Sequence, residues 1–258
     1  MIVLGFDTAT QATVVGLRLA DGGTLQARDD PAAEAHPGHA TRLLSMAGEL
    51  LTQAGIRWSA VERIAVGIGP GRFTGLRVGI ATARGLAQSL DVGLAGVSSL
   101  QALALSASAQ QPGRAVLAVI DARRGEAFAA AYPPSVDFAA GGSPAEPLRG
   151  EIEIPRAVAA SHLQDIVEEL ERAGAPPAQR WLAVGDGAVL FARELAQAGV
   201  EVAADGTGLN AIDPLAICRL GARAALAPAT AQILPDYRRT PDAALARNRP
   251  MALGGAAP

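Results

Sequence analysis

An α/β fold of two related lobes is predicted by three features of this 258-residue sequence. Strand-like apolar runs alternate with segments of helical period. One strand passes through a glycine loop directly into a helix, at Val66-Gly67-Ile68-Gly69-Pro70-Gly71-Arg72-Phe73-Thr74-Gly75. The same order of segments then returns in the second half of the chain. Alternation of this kind covers a sheet with helices, and matching order at matching separation marks a duplication.

Each segment has a local reason. Residues 2–6 are apolar, Asp7-Thr8-Ala9-Thr10-Gln11 is a polar turn, and 13–19 return as the second strand of a hairpin that ends at Asp21-Gly22-Gly23. Leu43, Met46, Ala47, Leu50, Leu51 and Ala54 keep the helical period, with Gly55 as the stop. Ser59 and Glu62 fit a capping box before the strand 64–66. In the second half, 115–128 repeats the strand, aspartate turn and return strand around Asp121. Trp181-Leu182-Ala183-Val184-Gly185-Asp186-Gly187 repeats the strand and glycine loop, leading into a helix over 188–198. Between them, 133–147 is rich in Pro, Gly and Ser and reads as a surface loop. Ser161 with Gln164 caps a helix carrying Leu163, Ile166, Val167 and Leu170, which Gly174 ends. Asp213-Pro214 opens the last helix. The lobes are placed at 1–110 and 111–239, with 240–258 a frayed tail.

The glycine stretch is the most informative part. Gly69 and Gly71 permit backbone angles closed to other residues, Pro70 stiffens the turn, and Thr74 is placed to cap the helix. Beyond it Gly75, Gly79, Ala83 and Ala87 recur every fourth position and form a smooth stripe. Such a stripe serves either close packing inside the chain or contact with another molecule. Arg77 and Arg84 interrupt any apolar span, so its partner is protein and not lipid.

Composition excludes several chemistries. A net charge of -3 does not suit a chain that grips nucleic acid alone. All 22 basic residues are Arg, which excludes a Walker lysine and a Schiff base. The single Cys218 precludes an intrachain disulfide and sits in an apolar helical setting that predicts a buried, inert thiol. No basic, apolar and cleavage pattern of a signal peptide opens the sequence, which gives the expectation of a cytoplasmic protein.

Among candidate chemistry, Asp7 at the end of the first strand, with Thr8 and Thr10, occupies the place where sugar kinases, actin and heat-shock ATPases hold phosphates and metal. The alternative is an aspartate that only bonds the amides of its own turn. Asp121 and Asp186 carry the same two readings. His36 and His39 are three apart, but Pro37 and Gly38 oppose a helix there and no third His is near, so no metal set is assigned. His39 is expected to cap or pack at the start of the following helix, and His162 to be exposed. No Gly-x-Ser-x-Gly elbow supports Ser-His-Asp catalysis. Glu168, Glu169 and Glu171 read as solvated charges on a helix surface.

Taken together, Asp7-Thr8-Ala9-Thr10, His39, Gly69-Pro70-Gly71-Arg72-Phe73-Thr74-Gly75-Leu76-Arg77 and Asp121-Ala122-Arg123-Arg124-Gly125-Glu126 resemble the TsaB family, formerly YeaZ. The resemblance runs from Met1 to about Arg239. Arg72 stands where the family usually has serine, and Tyr237-Arg238-Arg239 is similar to its Tyr-Leu-Arg. The resemblance implies a duplicated actin and sugar-kinase-like (ribonuclease H-like) fold, two lobes with mixed sheets flanked by helices. It also implies a non-catalytic subunit in threonylcarbamoylation of the adenosine beside the tRNA anticodon. Catalysis in that system belongs to the relative TsaD, whose His-Met-Glu-Gly-His metal motif falls on Ser99-Leu100-Gln101-Ala102-Leu103 of this chain, where both imidazoles are missing.

The partners so implied are a TsaD-like catalytic subunit and a TsaE-like ATPase, with tRNA engaged through the complex and a homodimer when the chain is alone. No intrinsic cofactor is implied, with ATP or ADP at the contact with the partner left open. The expected contact is a four-helix packing of residues 39–54 and 74–88 with the equivalent pair of the partner, through His39, Leu43, Met46, Thr74, Gly75, Arg77, Val78, Gly79, Thr82 and Ala83. On that reading Gly79→Leu loses the partner by overpacking. The competing classes are a stand-alone sugar-kinase-like ATPase, a metallopeptidase and a homodimeric scaffold.

Overall fold

The computed structural model describes residues 1–31, 37–134, 152–153, 158–172, 181–225 and 233–238. His36, most of the 133–147 loop, Gly174 and the 240–258 tail lie outside the described residues, as does the side chain of Leu170.

In the first lobe β1 (Val3–Asp7), β2 (Thr13–Arg18), β3 (Thr24–Asp29), β4 (Arg63–Gly69) and β5 (Gly93–Ser98) form one sheet in the order β3-β2-β1-β4-β5. The strands from β3 to β1 run antiparallel, and β1, β4 and β5 run parallel. The second sheet holds β6 (Ala115–Arg123), β7 (Glu126–Tyr132), β8 (Ile152–Glu153), β10 (Trp181–Val184) and β11 (Glu201–Val202) in the order β11-β10-β6-β7-β8, with β9 (Val158–Ala159) also paired to β7. Its β8, β7 and β6 are antiparallel, and β6, β10 and β11 parallel. Read from the β8 side, the second sheet repeats the first strand by strand and sense by sense. This is the duplicated actin and sugar-kinase plan expected above.

The helices stack in layers around these sheets. α1 (His39–Gln53) and α2 (Phe73–Leu90) cover one face of the first sheet, where Leu4, Phe6, Val15 and Leu17 alternate inward to meet Leu43, Met46, Leu50, Ile80 and Ala83. The opposite face carries α7 (Pro214–Arg223), and α3 (Ser99–Gln110) lies on the second sheet. Val3, Ala65, Val97, Leu100, Leu103, Val116, Ile120, Ala216 and Ile217 therefore share one central core between the sheets. The outer face of the second sheet packs α4 (Leu163–Arg172), α5 (Asp186–Leu190) and α6 (Ala192–Gln197) through Leu163, Val167, Ala188 and Leu195. Chain order and spatial order part at two places. α3, from the first half, lies on the second sheet, and α7, from the second half, lies on the first.

Close backbone approach seats α7. A Cβ on Gly5 would fall 2.7 Å from Cys218 Sγ, and one on Gly16 would fall 2.8 Å from the Pro214 carbonyl oxygen. A Cβ on Gly221 would collide with that of Ala65. Asp213 caps the helix by accepting a hydrogen bond from the Leu215 N–H at 2.8 Å, as its sequence predicts. At the other end Arg63 donates to the carbonyls of Gly221 and Ala222 at 2.7 and 2.8 Å. Cys218 is fully buried, and burial pushes its thiol up to about 12, as expected of an inert group.

Several local expectations are corrected. Thr74 does not cap α2, which begins one residue earlier with Arg72 as an N-cap that makes no side-chain bond. Ser59 lies in the 3-10 turn Trp58–Ala60, and Glu62 instead accepts a hydrogen bond from the Ile2 N–H. Ser161 lies inside the 3-10 turn Ala160–His162. The helix expected over 188–198 breaks at Phe191 into α5 and α6.

The small-residue stripe is an internal seam. Gly75, Gly79, Ala83 and Ala87 are buried, and a Cβ on Gly79 would collide with Thr8 Oγ1. Gly85 faces the other way, with nothing within 4 Å of an added Cβ. Gly79→Ala is expected to lower stability by about 1–3 kcal/mol through overpacking, whereas Gly85→Ala raises it by about 0.5–1 kcal/mol through helix propensity. Denaturant midpoints of the two variants test this, and a loss at Gly85 equal to that at Gly79 would contradict the assigned faces.

Candidate functional site

Two candidate regions emerge, the carboxylates between the lobes and the outer face of α1 and α2. Between the lobes, Asp7 ends β1 and is 1% exposed. Its Oδ1 accepts the Ala9 N–H at 2.6 Å and its Oδ2 accepts the Ser99 hydroxyl at 2.5 Å. A Cβ on Gly67 would overlap this carboxylate, so only glycine lets β4 pass beside it. Thr8 is fully buried and donates to the Gly75 carbonyl at 2.7 Å, while Thr10 is half-buried. Asp7 and Thr8 thus spend their polar atoms on α2, α3 and their own turn. At the two positions onto which the resemblance lays paired histidines, Ser99 binds Asp7, and Leu103 is 1% exposed, its Cδ1 3.2 Å from a Cβ placed on Gly185.

The second lobe answers with its own pair. Asp186, at the start of α5, accepts the Asp121 N–H at 3.0 Å, and Asp121 Oδ1 accepts the Arg123 N–H at 2.7 Å. Gly187 approaches the chain at Ile120 and Asp121 as Gly67 approaches Asp7. The hairpin turn that follows places Arg123, Arg124 and Gly125 at φ of 66°, 58° and 73°, a left-handed conformation that only the glycine announces in the sequence.

Burial pushes the Asp7 carboxyl from 3.8 up to about 6, against the pull of the Ser99 and Ala9 hydrogen bonds and with help from the charge of Asp186. Asp186 also rises to about 6, again mainly through burial, with the charge of Asp121 adding to it. His39 is 5% exposed, and its Nδ1 lies 2.8 Å from Thr13 Oγ1. Burial lowers its pKa, opposed by the Thr10 backbone and the charge of Asp29. It packs where the helix begins, as expected, and serves the interior.

On the second region, the ten residues expected at a partner contact divide. His39, Leu43, Met46, Gly75, Gly79 and Ala83 are buried in their own lobe. Thr74 and Arg77 are exposed, and Val78 and Thr82 half-buried. The outer face that these four share on α2 continues through Ala81, Gly85 and Gln88, all exposed. On α1 the outer face carries Ala40, Thr41, Leu44, Ser45, half-buried Gly48 and Thr52, with Leu44 48% exposed. Gly48 and Gly85 are helix-interior glycines, and no tight internal contact accounts for either. Sequence reasoning missed them, although Val78, Ala81 and Gly85 follow one another at helical spacing as the inner stripe does.

The raised carboxyls have a consequence for stability. Unfolded Asp7 loses its proton near 3.8 and folded Asp7 near 6, so the favourable contribution of the neutral form is complete below 3.8 and is lost as pH rises through 6. A shift of this size corresponds to about 3 kcal/mol. Asp7→Asn is therefore expected to be more stable than the parent by about 2 kcal/mol at pH 7.5, falling to less than half of that at about pH 4.5. Guanidinium unfolding of both proteins at both pH values measures it, and a pH-independent difference would refute the buried charge.

Residues 32–141 match the TsaD family model, described as tRNA N6-adenosine threonylcarbamoyltransferase. The chain is 39% identical over 132 residues to tRNA threonylcarbamoyladenosine biosynthesis protein TsaB of Escherichia coli K12, covering 51% of this chain and 55% of that protein. It is 36% identical over 128 residues to the protein of the same name in Haemophilus influenzae, covering 50% and 52%. The matched stretch spans about half the length of these curated relatives. A crystal structure of a Pseudomonas aeruginosa protein described as similar to peptidase YeaZ is 30% identical, with TM-score 0.68, covering 92% of this chain and 99% of that one. YeaZ from Pseudomonas aeruginosa is 28% identical with TM-score 0.63, covering 91% and 98%. With nearly the whole of that first structure matched at 30% identity, and with strand order, glycine loop and aspartate turns as described, the chain belongs to the TsaB (YeaZ) family.

Proposed function

We propose that this chain is a non-catalytic subunit of the machinery that makes threonylcarbamoyladenosine beside the tRNA anticodon, acting by binding a TsaD-like catalytic subunit through the outer face of α1 and α2. The observation that carries the reading is the pair Gly48 and Gly85. Gly85 costs its helix about 1 kcal/mol relative to alanine and has nothing within 4 Å of an added Cβ. A second pair of helices packed against it would supply the missing neighbour, since small residues let helix axes come close. Leu44, at 48% exposure, is the apolar side chain that such a contact would bury. This moves the expected four-helix contact from the inner to the outer side of the same two helices.

The non-catalytic part of the reading rests on Ser99 and Leu103. A hydroxyl that donates to a buried carboxylate and a leucine in apolar packing supply no strong metal ligand. ATP or ADP, a TsaE-like ATPase and tRNA belong to the assembled complex in this proposal, with any nucleotide held where the two subunits meet. The same face pairs two copies of the chain when the partner is absent. A cytoplasmic site of action belongs to the proposal too, and among the described residues no helix is long and apolar enough to cross a membrane.

The test mixes the purified chain with the TsaD-like protein of the same organism, follows the mass by light scattering, and assays tRNA threonylcarbamoylation with and without the chain. A one-to-one complex with chain-dependent activity is expected. Gly85→Leu and Leu44→Glu are each expected to weaken that complex at least about tenfold while leaving the unfolding free energy of the isolated chain within about 1 kcal/mol of the parent or higher. Normal complex formation by both variants would reject this face. ATP turnover by the chain alone, without any complex, would favour the kinase-like alternative.

A further inference from the structure

Residues 233–238 return from the second half of the chain to the glycine loop of the first lobe. Ile233 packs against the core beneath α1 and α2. The Asp236 N–H donates to the Ile68 carbonyl at 2.8 Å, and the Asp236 carbonyl oxygen lies 3.3 Å from a Cβ placed on Gly69. Tyr237 then stacks on Phe73, with ring centroids 4.9 Å apart and planes inclined by 29°. Its hydroxyl accepts a hydrogen bond from Arg77 Nε at 3.0 Å, and the Arg77 guanidinium sits 3.8 Å from the centre of the Phe73 ring. Arg238 folds back on Asp236 at 2.7 Å with only 6% of its side chain exposed.

These contacts converge on a helix start that lacks a side-chain cap. Arg72, the N-cap of α2, makes no side-chain hydrogen bond to the helix. Uncapped first turns fray, because their amide groups have no partner within the helix. The backbone bonds from Arg72 N–H to Ala9 and from Leu76 N–H to Arg72 hold the turn from below. Phe73 and Arg77, one helical turn apart, are gripped from above by Tyr237.

We propose that residues 233–238 form a clasp that takes the place of the missing cap, holding the glycine loop and the first turn of α2, and with them Arg77, in the form presented to a partner. The partner role rests on the proposed use of the outer α1 and α2 face, which the clasp adjoins through Arg77. Tyr237 is a positioning residue in this device, acting through Phe73 and Arg77. Tyr237 is 42% exposed and Leu234, in the same segment, 64% exposed, so the Tyr237 end of the clasp lifts from Phe73 while Ile233 stays packed on the core and both lobes stay folded.

Hydrogen exchange of the full chain, read by mass spectrometry, tests the device, with Tyr237→Ala, Tyr237→Phe and Gly85→Leu compared in parallel for binding to the TsaD-like subunit. Tyr237→Ala is expected to speed amide exchange across residues 68–77 about tenfold and to weaken the complex about tenfold, leaving exchange in β1 and α7 at parental rates. Tyr237→Phe keeps the stacking, loses the bond from Arg77, and is expected to fall between. Unchanged exchange over 68–77 in Tyr237→Ala overturns the clasp. Faster exchange with parental affinity, where Gly85→Leu has lost the partner, overturns its role at that face. Parental binding by Gly85→Leu overturns the face and not the clasp, which the exchange rates decide by themselves.

Discussion

The seating of α7 on the first sheet is the contact on which the rest of the molecule depends. Three glycines, Gly5, Gly16 and Gly221, remove the Cβ atoms that would hold helix and sheet apart. Arg63 then fastens the helix end by its carbonyls. Because α7 comes from the second half of the chain and α3, on the second sheet, from the first, each sheet is closed by a helix from the other half. The lobes therefore share one core, running from Val3 and Ala65 through Ile217 and Leu103 to Val116. Neither half can complete its apolar layer alone, which ties the stability of α1 and α2 to packing on the far side of their sheet.

That shared core also fixes the state of the carboxylates. Asp7 is held by Ser99 and its own turn, and Asp186 by the amide of Asp121. Keeping two buried carboxylates costs stability at neutral pH, since burial outweighs the hydrogen bonds that each accepts and raises both to about 6. His39 works in the opposite direction, because its lowered pKa means that the folded chain resists the proton it would gain as pH falls. The Asp7 and Asp186 carboxylates are thus both held by hydrogen bonds within the chain.

The two sides of α2 differ in what accounts for their small residues. Its inner side is small because Thr8 and β1 lie against it, so that Gly75 and Gly79 have no room for a methyl group. Its outer side is small at Ala81 and Gly85 with no internal reason of that kind. The first turn, lacking a side-chain cap, is contacted by Tyr237 from the far part of the sequence. A helix built in this way joins core, outer face and C-terminal segment in eighteen residues.

Periodicity and turn chemistry by themselves determined the duplicated order of segments along the chain, the two aspartate turns, the glycine loop, the burial of Cys218 and the Asp213-Pro214 helix start, because each depends on residues adjacent in the chain. They did not determine which side of α2 faces inward. Small residues stand on both sides at helical spacing, and only the position of Thr8 and β1 makes Gly79 a core residue and Gly85 a surface one. Edge strand β3 carries only Leu25 and Ala27 as apolar residues, both half-buried, too few to mark a strand by themselves. The left-handed Arg123 and Arg124, the bond from Ser99 to Asp7 across ninety-two positions and the stack of Tyr237 on Phe73 were decided only in three dimensions. Contacts between distant segments are selected by the packing of the whole chain, and no local pattern encodes them.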